Sequence, residues 1–452
     1  MIRARALVAV AAVLGSLAAT VLTSVAQAAP PTFHDAAGLS VLSATAHGSR
    51  TWKVVVRTSA LSEPVHVDVL LPAGYGDSTA SYPVLYLFHG TSGGADDWIN
   101  TGNAVAATAP YPLIVVMPDA GYDRDGGGWF TNWVDEHTAL GASRWETFHV
   151  DQLVPWVDAN LRTIPDRSDR GIAGLSQGGF GSFTYAARHP DTFGSAASFS
   201  GAPDIASNPV TLGGAAVIVE GTALGLDRVE PDAMFGNPLL NTIDWEGHNP
   251  ASLVTNLGNT QLELWSGNGA PGPLDTPSAG IVADVLIEGA VHASSVSFAQ
   301  AASRARIPYT FDDYGPGTHS WGYWARDLAQ YLPILMQRFA NPVTPTTVTY
   351  RSIDRTWSQW GWTLANQRAA EQEFSGLLAA SVSGVTVASP TPTTVTTPAD
   401  FAPGARYRVT ARGGSVDRHR AVTVTVASDG RLTLSVRPSP LHTQVVLTWV
   451  RL

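Results

Sequence analysis

The segment Gly174-Leu175-Ser176-Gln177-Gly178 constrains this chain more than any other. It is a G-x-S-x-G motif between a strand-like run, Arg170 to Ala173, and a helix-like run, Gly179 to Arg188. In that setting it reads as a nucleophile elbow, in which a strand turns sharply into a helix and the serine stands at the turn. The turn closes only around small neighbours, which accounts for Gly174 and Gly178. The hydroxyl is then exposed at the carboxyl edge of a sheet, beside a helix N-terminus that favours developing negative charge. The alternative is a chance Gly-Ser turn in a chain with 43 glycines. The flanking strand and helix argue against it.

Further apolar runs fit a sheet around that elbow. Trp52 to Arg57 and Val65 to Leu71 read as an antiparallel edge hairpin. Val84 to Phe88, Leu113 to Met117, Ala196 to Phe199, Leu262 to Trp265 and Tyr309 to Tyr314 read as buried strands. Helix-like segments such as Thr147 to Leu161 alternate with them, which predicts a mostly parallel sheet covered on both faces. After Ala340 the texture changes. Asn341 to Pro345 reads as a linker, followed by short alternating runs. Val422, Val424 and Val426 share one face, Asp429-Gly430 predicts a hairpin turn, and Leu432, Leu434 and Val436 lie on the return strand. Ala365 to Ala380 reads as a helix interrupting this β pattern. The expected organisation is a leader at 1–28, an α/β unit at 29–340, and a linker with a β-sandwich-like module at 341–452.

The leader follows from Arg3 and Arg5, the apolar stretch Leu7 to Val25, and Ala26-Gln27-Ala28 as a cleavage site. The expected location is therefore secreted or cell-wall associated, and no later segment reads as a membrane span. Losing both arginines moves the formal charge from −10 to −12, which argues against a nucleic-acid partner. With no cysteine, thiolate nucleophiles, thiolate metal sites and disulfide staples are excluded.

A serine needs an adjacent base. In elbow-type sites the chain order is serine, acid, histidine. His319, in Gly315-Pro316-Gly317-Thr318-His319-Ser320-Trp321, follows a strand-like run and is the candidate base, ahead of His248 and His292. Asp275, Asp284, Glu288, Asp312 and Asp313 all lie between the two. Pattern alone favours Asp275 and does not settle the choice. Two backbone amides must face the developing oxyanion. Gln177 supplies one and Thr91, in the glycine-rich run His89 to Gly94, the other. His89 itself reads as structural.

Several ordered motifs carry a resemblance. They are Asp96-Asp97-Trp98-Ile99-Asn100-Thr101, Trp145-Glu146-Thr147-Phe148, Ala186-Ala187-Arg188-His189-Pro190, Leu264-Trp265-Ser266-Gly267-Asn268-Gly269 and Thr318 to Trp324. From about Val84 to Leu335 the chain resembles the secreted mycolyltransferases of the antigen 85 type and the related esterase D-like enzymes. The resemblance implies an α/β-hydrolase fold and a serine esterase or acyltransferase without metal or organic cofactor. It also implies the acid: a glutamate preceding glycine about thirty residues before the histidine, matched by Glu288-Gly289. Where the transferases carry Asp-Gly-Leu-Arg, this chain has His89-Gly90-Thr91-Ser92. The aspartate and arginine associated with trehalose are missing, and Gln177 replaces a methionine. A carboxylesterase is therefore the expectation, acyl transfer to a sugar hydroxyl the alternative, and a non-catalytic cell-wall protein on a hydrolase fold the second alternative. Trp98, Asn100 and Trp321 are candidate substrate contacts, and Ala202 to Thr260 a candidate lid or acceptor-site insertion. In the tail, Trp360 and Trp362 are placed on one strand face, either as core or, with Trp357, as a platform for cell-wall polysaccharide.

Overall fold

The structure, a computed structural model, describes residues 31–276, 280–368, 372–413, 416–438 and 443–452. The expected leader at 1–28 lies outside the described residues. Nine strands form the main sheet: β1 (Ser40–Ala46), β2 (Thr51–Arg57), β3 (Val65–Leu70), β4 (Val84–Phe88), β5 (Ile114–Pro118), β6 (Arg170–Leu175), β7 (Ser195–Phe199), β8 (Gln261–Ser266) and β9 (Thr310–Asp313). Their order is β1-β2-β3-β5-β4-β6-β7-β8-β9. From β5 to β9 all neighbours are parallel, whereas β1, β2 and β3 are antiparallel. The expected hairpin is present but is not the edge. β1 covers β2 on the outside, and β3 pairs with β5 on the inside. Ser40–Ala46 was missed because almost every residue in it is exposed and no apolar run marks it.

Alternation along each strand divides the interior into two cores. In β4, Val84, Tyr86 and Phe88 pack on one face and Leu85 and Leu87 on the other. Helices α1 (Asp97–Asn100), α2 (Ala104–Ala107), α3 (Val154–Asn160), α4 (Gln177–Arg188), α5 (Pro209–Thr222), α6 (Thr242–Gly247), α7 (Ile281–Ala305) and α8 (Trp321–Ala340) cover the sheet. α8 closes one face with Leu328, Leu332 and Leu335, and α4 closes the other with Phe180 and Phe183. This is the α/β-hydrolase fold. Contrary to the sequence expectation, two later segments, Pro209–Asp227 and Ile281–Ala305, are long and apolar enough to cross a membrane, each with mean hydropathy 1.4. Much of α7 packs on the core through Phe298 and Ala302.

Residues after the linker form two antiparallel sheets. One contains β10 (Val348–Ser352), β13 (Ser375–Ser381), β14 (Gly384–Ala388), β16 (Arg406–Gly413), β17 (Val416–Thr425) and β19 (Gln444–Arg451). The other contains β11 (Thr356–Gln359), β12 (Trp362–Asn366), β15 (Thr393–Thr396) and β18 (Thr433–Val436). They share one core, in which Leu377, Val387 and Leu447 face Leu364, Val395 and Leu434. The helix expected over Ala365 to Ala380 is replaced by the end of β12 and by β13. Long-range strand pairing overrides local helix propensity there. Gly430 does turn at φ 77°, but it joins β17 in one sheet to β18 in the other, so the expected hairpin is a crossover. Trp357 and Trp362 are buried in the shared core. Trp360 sits instead in the β11–β12 turn at φ 56°. Its N–H donates to Asp191 (2.7 Å), and the Arg167 guanidinium lies 4.9 Å from its ring. The three indoles therefore form no common platform.

The tail is tied to the end of α4. The Arg188 guanidinium donates to Glu146 (2.7 Å), to the Gly247 carbonyl (3.0 Å) and to Asp354 (3.2 Å). The Tyr350 hydroxyl donates to the Arg188 carbonyl (2.8 Å). Burial opposes charge on Glu146, yet Arg188 and His189 hold its carboxyl well below the usual carboxylate range. Removing one partner of such a buried pair strands the other. Arg188→Ala should lower unfolding free energy by about 3–5 kcal/mol in urea titration. A loss below about 1 kcal/mol, the scale of an exposed pair, would contradict this network.

Candidate active site

The elbow forms because its glycines leave room for it. Ser176 takes φ 52° and ψ −123°, a sparsely populated region for a residue with a Cβ. A Cβ on Gly174 would lie 2.4 Å from the Gly178 carbonyl oxygen, and one on Gly178 would lie 2.3 Å from that of His89. The Ser176 N–H donates to the Phe199 carbonyl (2.9 Å), and its own carbonyl accepts from Gly179 and Phe180 as α4 begins. Ser176 and His319 line one cavity of about 490 Å³, together with Thr91, Gln177, Trp129 and Trp321.

Behind His319 the structure places a fully buried carboxylate, Glu288. His319 Nδ1 lies 2.8 Å from Glu288 Oε2. Glu288 Oε1 accepts from the Ser200 hydroxyl (2.9 Å), the Ser266 hydroxyl (3.0 Å) and the Gly267 N–H (2.7 Å). Three donors and the imidazole hold an ion that burial alone would disfavour. Asp275 lies elsewhere. It accepts from the Thr318 hydroxyl, the Gly272 N–H (2.6 Å) and the Tyr323 hydroxyl (3.1 Å), so it braces the loop on which His319 sits. Ser200 and Ser266 were missed by sequence reasoning. Ser266 stands inside the Leu264 to Gly269 motif, which gave a signal; Ser200, at φ 48° just after β7, gave none.

Thr91 and Gln177 line the cavity beside Ser176. A Cβ on Gly90 would lie 3.1 Å from Ser176 Cβ, so that loop passes very close to the elbow. Among the described residues, neither the Thr91 nor the Gln177 N–H has a backbone acceptor. The Gln177 side-chain amide donates to the Thr91 hydroxyl (3.2 Å) and joins the two loops. His89 is buried, with Nδ1 donating to the Gly90 carbonyl (2.7 Å) and Nε2 accepting from the Ala120 N–H (2.9 Å). It fixes the loop, and burial lowers its basicity. Two of the expected substrate contacts do not reach the cavity. Trp98 is fully buried, its indole N–H donating to the Phe88 carbonyl (2.9 Å), because α1 turns its apolar side into the core. Asn100 ends α1 at the exposed surface and does not line the cavity. Trp321 does line it, with its ring edge-on to Trp98 at 5.3 Å.

The insertion between β7 and β8 contributes Ile218 and Thr222 to the cavity wall, and α7 contributes Ile287 and Val291. On the same insertion and helix, Val217, Leu224 and Leu286 are exposed. At the end of the α5 segment, Asp227 accepts from the Gly127 N–H (3.3 Å). A Cβ on Gly127 would lie 2.3 Å from Gln177 Oε1, so Asp227 supports the loop that backs the Gln177 side chain.

The Esterase family matches residues 58–335, more than half of the chain, and the span takes in every residue of this site. The chain belongs to the Esterase family. It is 33% identical over 288 residues to Esterase Rv1288 of Mycobacterium tuberculosis, a match covering 63% of this chain and 59% of that protein. It is 30% identical over 262 residues to the diacylglycerol acyltransferase/mycolyltransferase Ag85B of Mycobacterium leprae, covering 56% and 75%. The crystal structure of Mycobacterium tuberculosis MPT51 superposes with TM-score 0.52 at 25% identity, covering 65% of this chain and all of MPT51. The match with Rv1288 thus spans under two thirds of that relative's length.

Asp227 gives this esterase-family site a pH signature. Burial, with Asp125 nearby, pushes its carboxyl up to about 7, whereas an unfolded aspartate ionises near 3.8. Between these values the unfolded chain has released a proton that the folded chain retains, so stability falls as pH rises from about 4 to about 7 and then levels. Asp227→Asn removes that penalty. Its melting-temperature advantage over the parent should grow by several degrees between pH 4 and pH 7, on the order of 3 kcal/mol. A difference that does not vary with pH would contradict the assignment.

Proposed function

We propose that this chain is a secreted serine esterase that cleaves carboxylic esters through an acyl-enzyme on Ser176. The observation that carries the reading is the 2.8 Å contact between His319 Nδ1 and a Glu288 carboxylate held by three other donors, with Ser176 and His319 opening into the same cavity. In this reading Nδ1–H donates to Glu288, which leaves Nε2 as the base for the Ser176 proton. The Ser176 oxygen attacks the ester carbonyl, and the imidazolium formed is stabilised by Glu288. The Thr91 and Gln177 amides receive the oxyanion, each such donor contributing roughly 3–4 kcal/mol to the barrier. His319 then protonates the leaving alcohol, and activates water to release the acid. Export rests on the leader-like sequence at 1–28.

One observation favours acyl transfer as the second reading. The cavity is walled by Ile218, Ile287 and Val291, of which Ile218 and Ile287 are exposed apolar side chains. Such a surface suits a lipophilic acyl group and lowers the local availability of water. Against trehalose as acceptor stands the His89-Gly90-Thr91-Ser92 sequence, which offers neither the aspartate nor the arginine of the transferases.

Turnover of p-nitrophenyl butyrate tests the first reading, and Ser176→Ala should reduce it by at least about 10³-fold while leaving the fold intact. Absence of turnover across acetyl, butyryl, octanoyl and feruloyl esters would favour a non-catalytic wall protein. With one acyl donor in water containing trehalose, free acid should be the main product. Capture of most of the acyl group by trehalose would replace hydrolysis with transfer.

A further inference from the structure

A second cleft, about 600 Å³ against about 490 Å³ for the first, lies where the catalytic unit meets β10 and β11. Its volume is within the range of small-ligand sites, about 300–1,000 Å³. Arg170 opens β6 and Arg188 closes α4, and both line this cleft, whereas Ser176 sits where the two elements join. Six residues of strand and twelve of helix separate the two places by roughly 20 Å. The cleft is therefore at the opposite edge of the sheet from the nucleophile and is not part of its cavity.

Its chemistry excludes most ligand classes. The Arg170 guanidinium is paired with Asp158 at 2.5 Å, and that of Arg188 with Glu146 and Asp354. Asp151 and Asp191 add carboxylates, and His189, the other basic side chain in the lining, is paired with Glu146, so among the described residues no unpaired cation faces the cleft to hold a phosphate or carboxylate. Burial raises the ionisation range of both aspartates, and Asp191 already accepts the Trp360 N–H, which weakens the site for amines. What remains is neutral hydrogen bonding. Arg170 Nε and Gln359 Oε1 have no partner among the described residues, in residues only 9% and 8% exposed. One is a donor from the catalytic unit and the other an acceptor from the tail. A hydroxyl answers both, since it donates and accepts. Thr192 adds another hydroxyl to the lining, and Val154 with Pro155 supplies an apolar strip suited to the C–H face of a sugar ring.

We propose that this cleft is a binding site for a neutral saccharide chain, held jointly by the catalytic unit and the β-rich tail. Such a site would fix the enzyme on a glycan with the Ser176 cavity facing away from it. It also gives the tail a binding role that its dispersed tryptophans do not supply.

Calorimetric titration of the full chain with cellohexaose, xylohexaose and the hexamer of N-acetylglucosamine tests the proposal, with inorganic phosphate and spermidine as the competing chemistries. At least one hexasaccharide should bind saturably. Gln359→Ala should weaken it by about tenfold, as should Thr192→Val on the half-buried rim should Gln359→Ala fold poorly, while p-nitrophenyl ester turnover stays within about twofold. Ser176→Ala should bind the saccharide unchanged, which separates this site from the proposed catalytic one. Binding of no hexasaccharide, binding that survives both substitutions, or saturation by phosphate or spermidine in their place overturns the proposal.

Discussion

A glutamate with no solvent exposure is stable as an ion only where its surroundings replace water at both oxygens. Glu288 meets that condition with the Ser200 and Ser266 hydroxyls and the Gly267 N–H on one oxygen and the His319 imidazole on the other. The four partners arrive from three elements: Ser200 from the end of β7, Ser266 and Gly267 from the end of β8, and His319 from the loop between β9 and α8. The carboxylate is thus a meeting point for the carboxyl ends of adjacent parallel strands. Ser176 at the end of β6 completes the row. The site depends on strand order as much as on any side chain.

That dependence explains what could be read from the sequence. The elbow was legible because its constraint is local: a strained serine between glycines that admit no Cβ. His319 was legible from its loop and from chain order. Glu288 was not legible from pattern, because a buried carboxylate on the apolar helix α7 looks like any helical glutamate until residues 22 and 88 positions distant supply its donors; only family resemblance pointed to it. Ser200 left no trace for the same reason. Trp98 misled because an aromatic beside a catalytic loop gives no sign of whether it turns outward or into the core.

The same division holds for the fold. Buried parallel strands announce themselves as apolar runs, since both faces are covered. β1 does not, being exposed over most of its length. In the tail, alternation found the apolar face of β18 but not that of β17, where Val422 is exposed, nor the partners of either, because pairing across two sheets is decided by distant contacts. α4 links the two halves of the molecule. Its first turn follows Ser176 and its last residue, Arg188, is bonded to the tail.

The central claim is that Glu288, rather than Asp275, orients and supports the histidine at 319. The most direct measurement is kcat on a p-nitrophenyl ester at pH 8 for Glu288→Gln and Asp275→Asn, each checked for folding by circular dichroism. The account predicts a fall of about 10³–10⁴-fold for Glu288→Gln, whose amide favours the wrong imidazole tautomer, and less than about tenfold for Asp275→Asn. Near-parental turnover in Glu288→Gln, with collapse in Asp275→Asn, would contradict it.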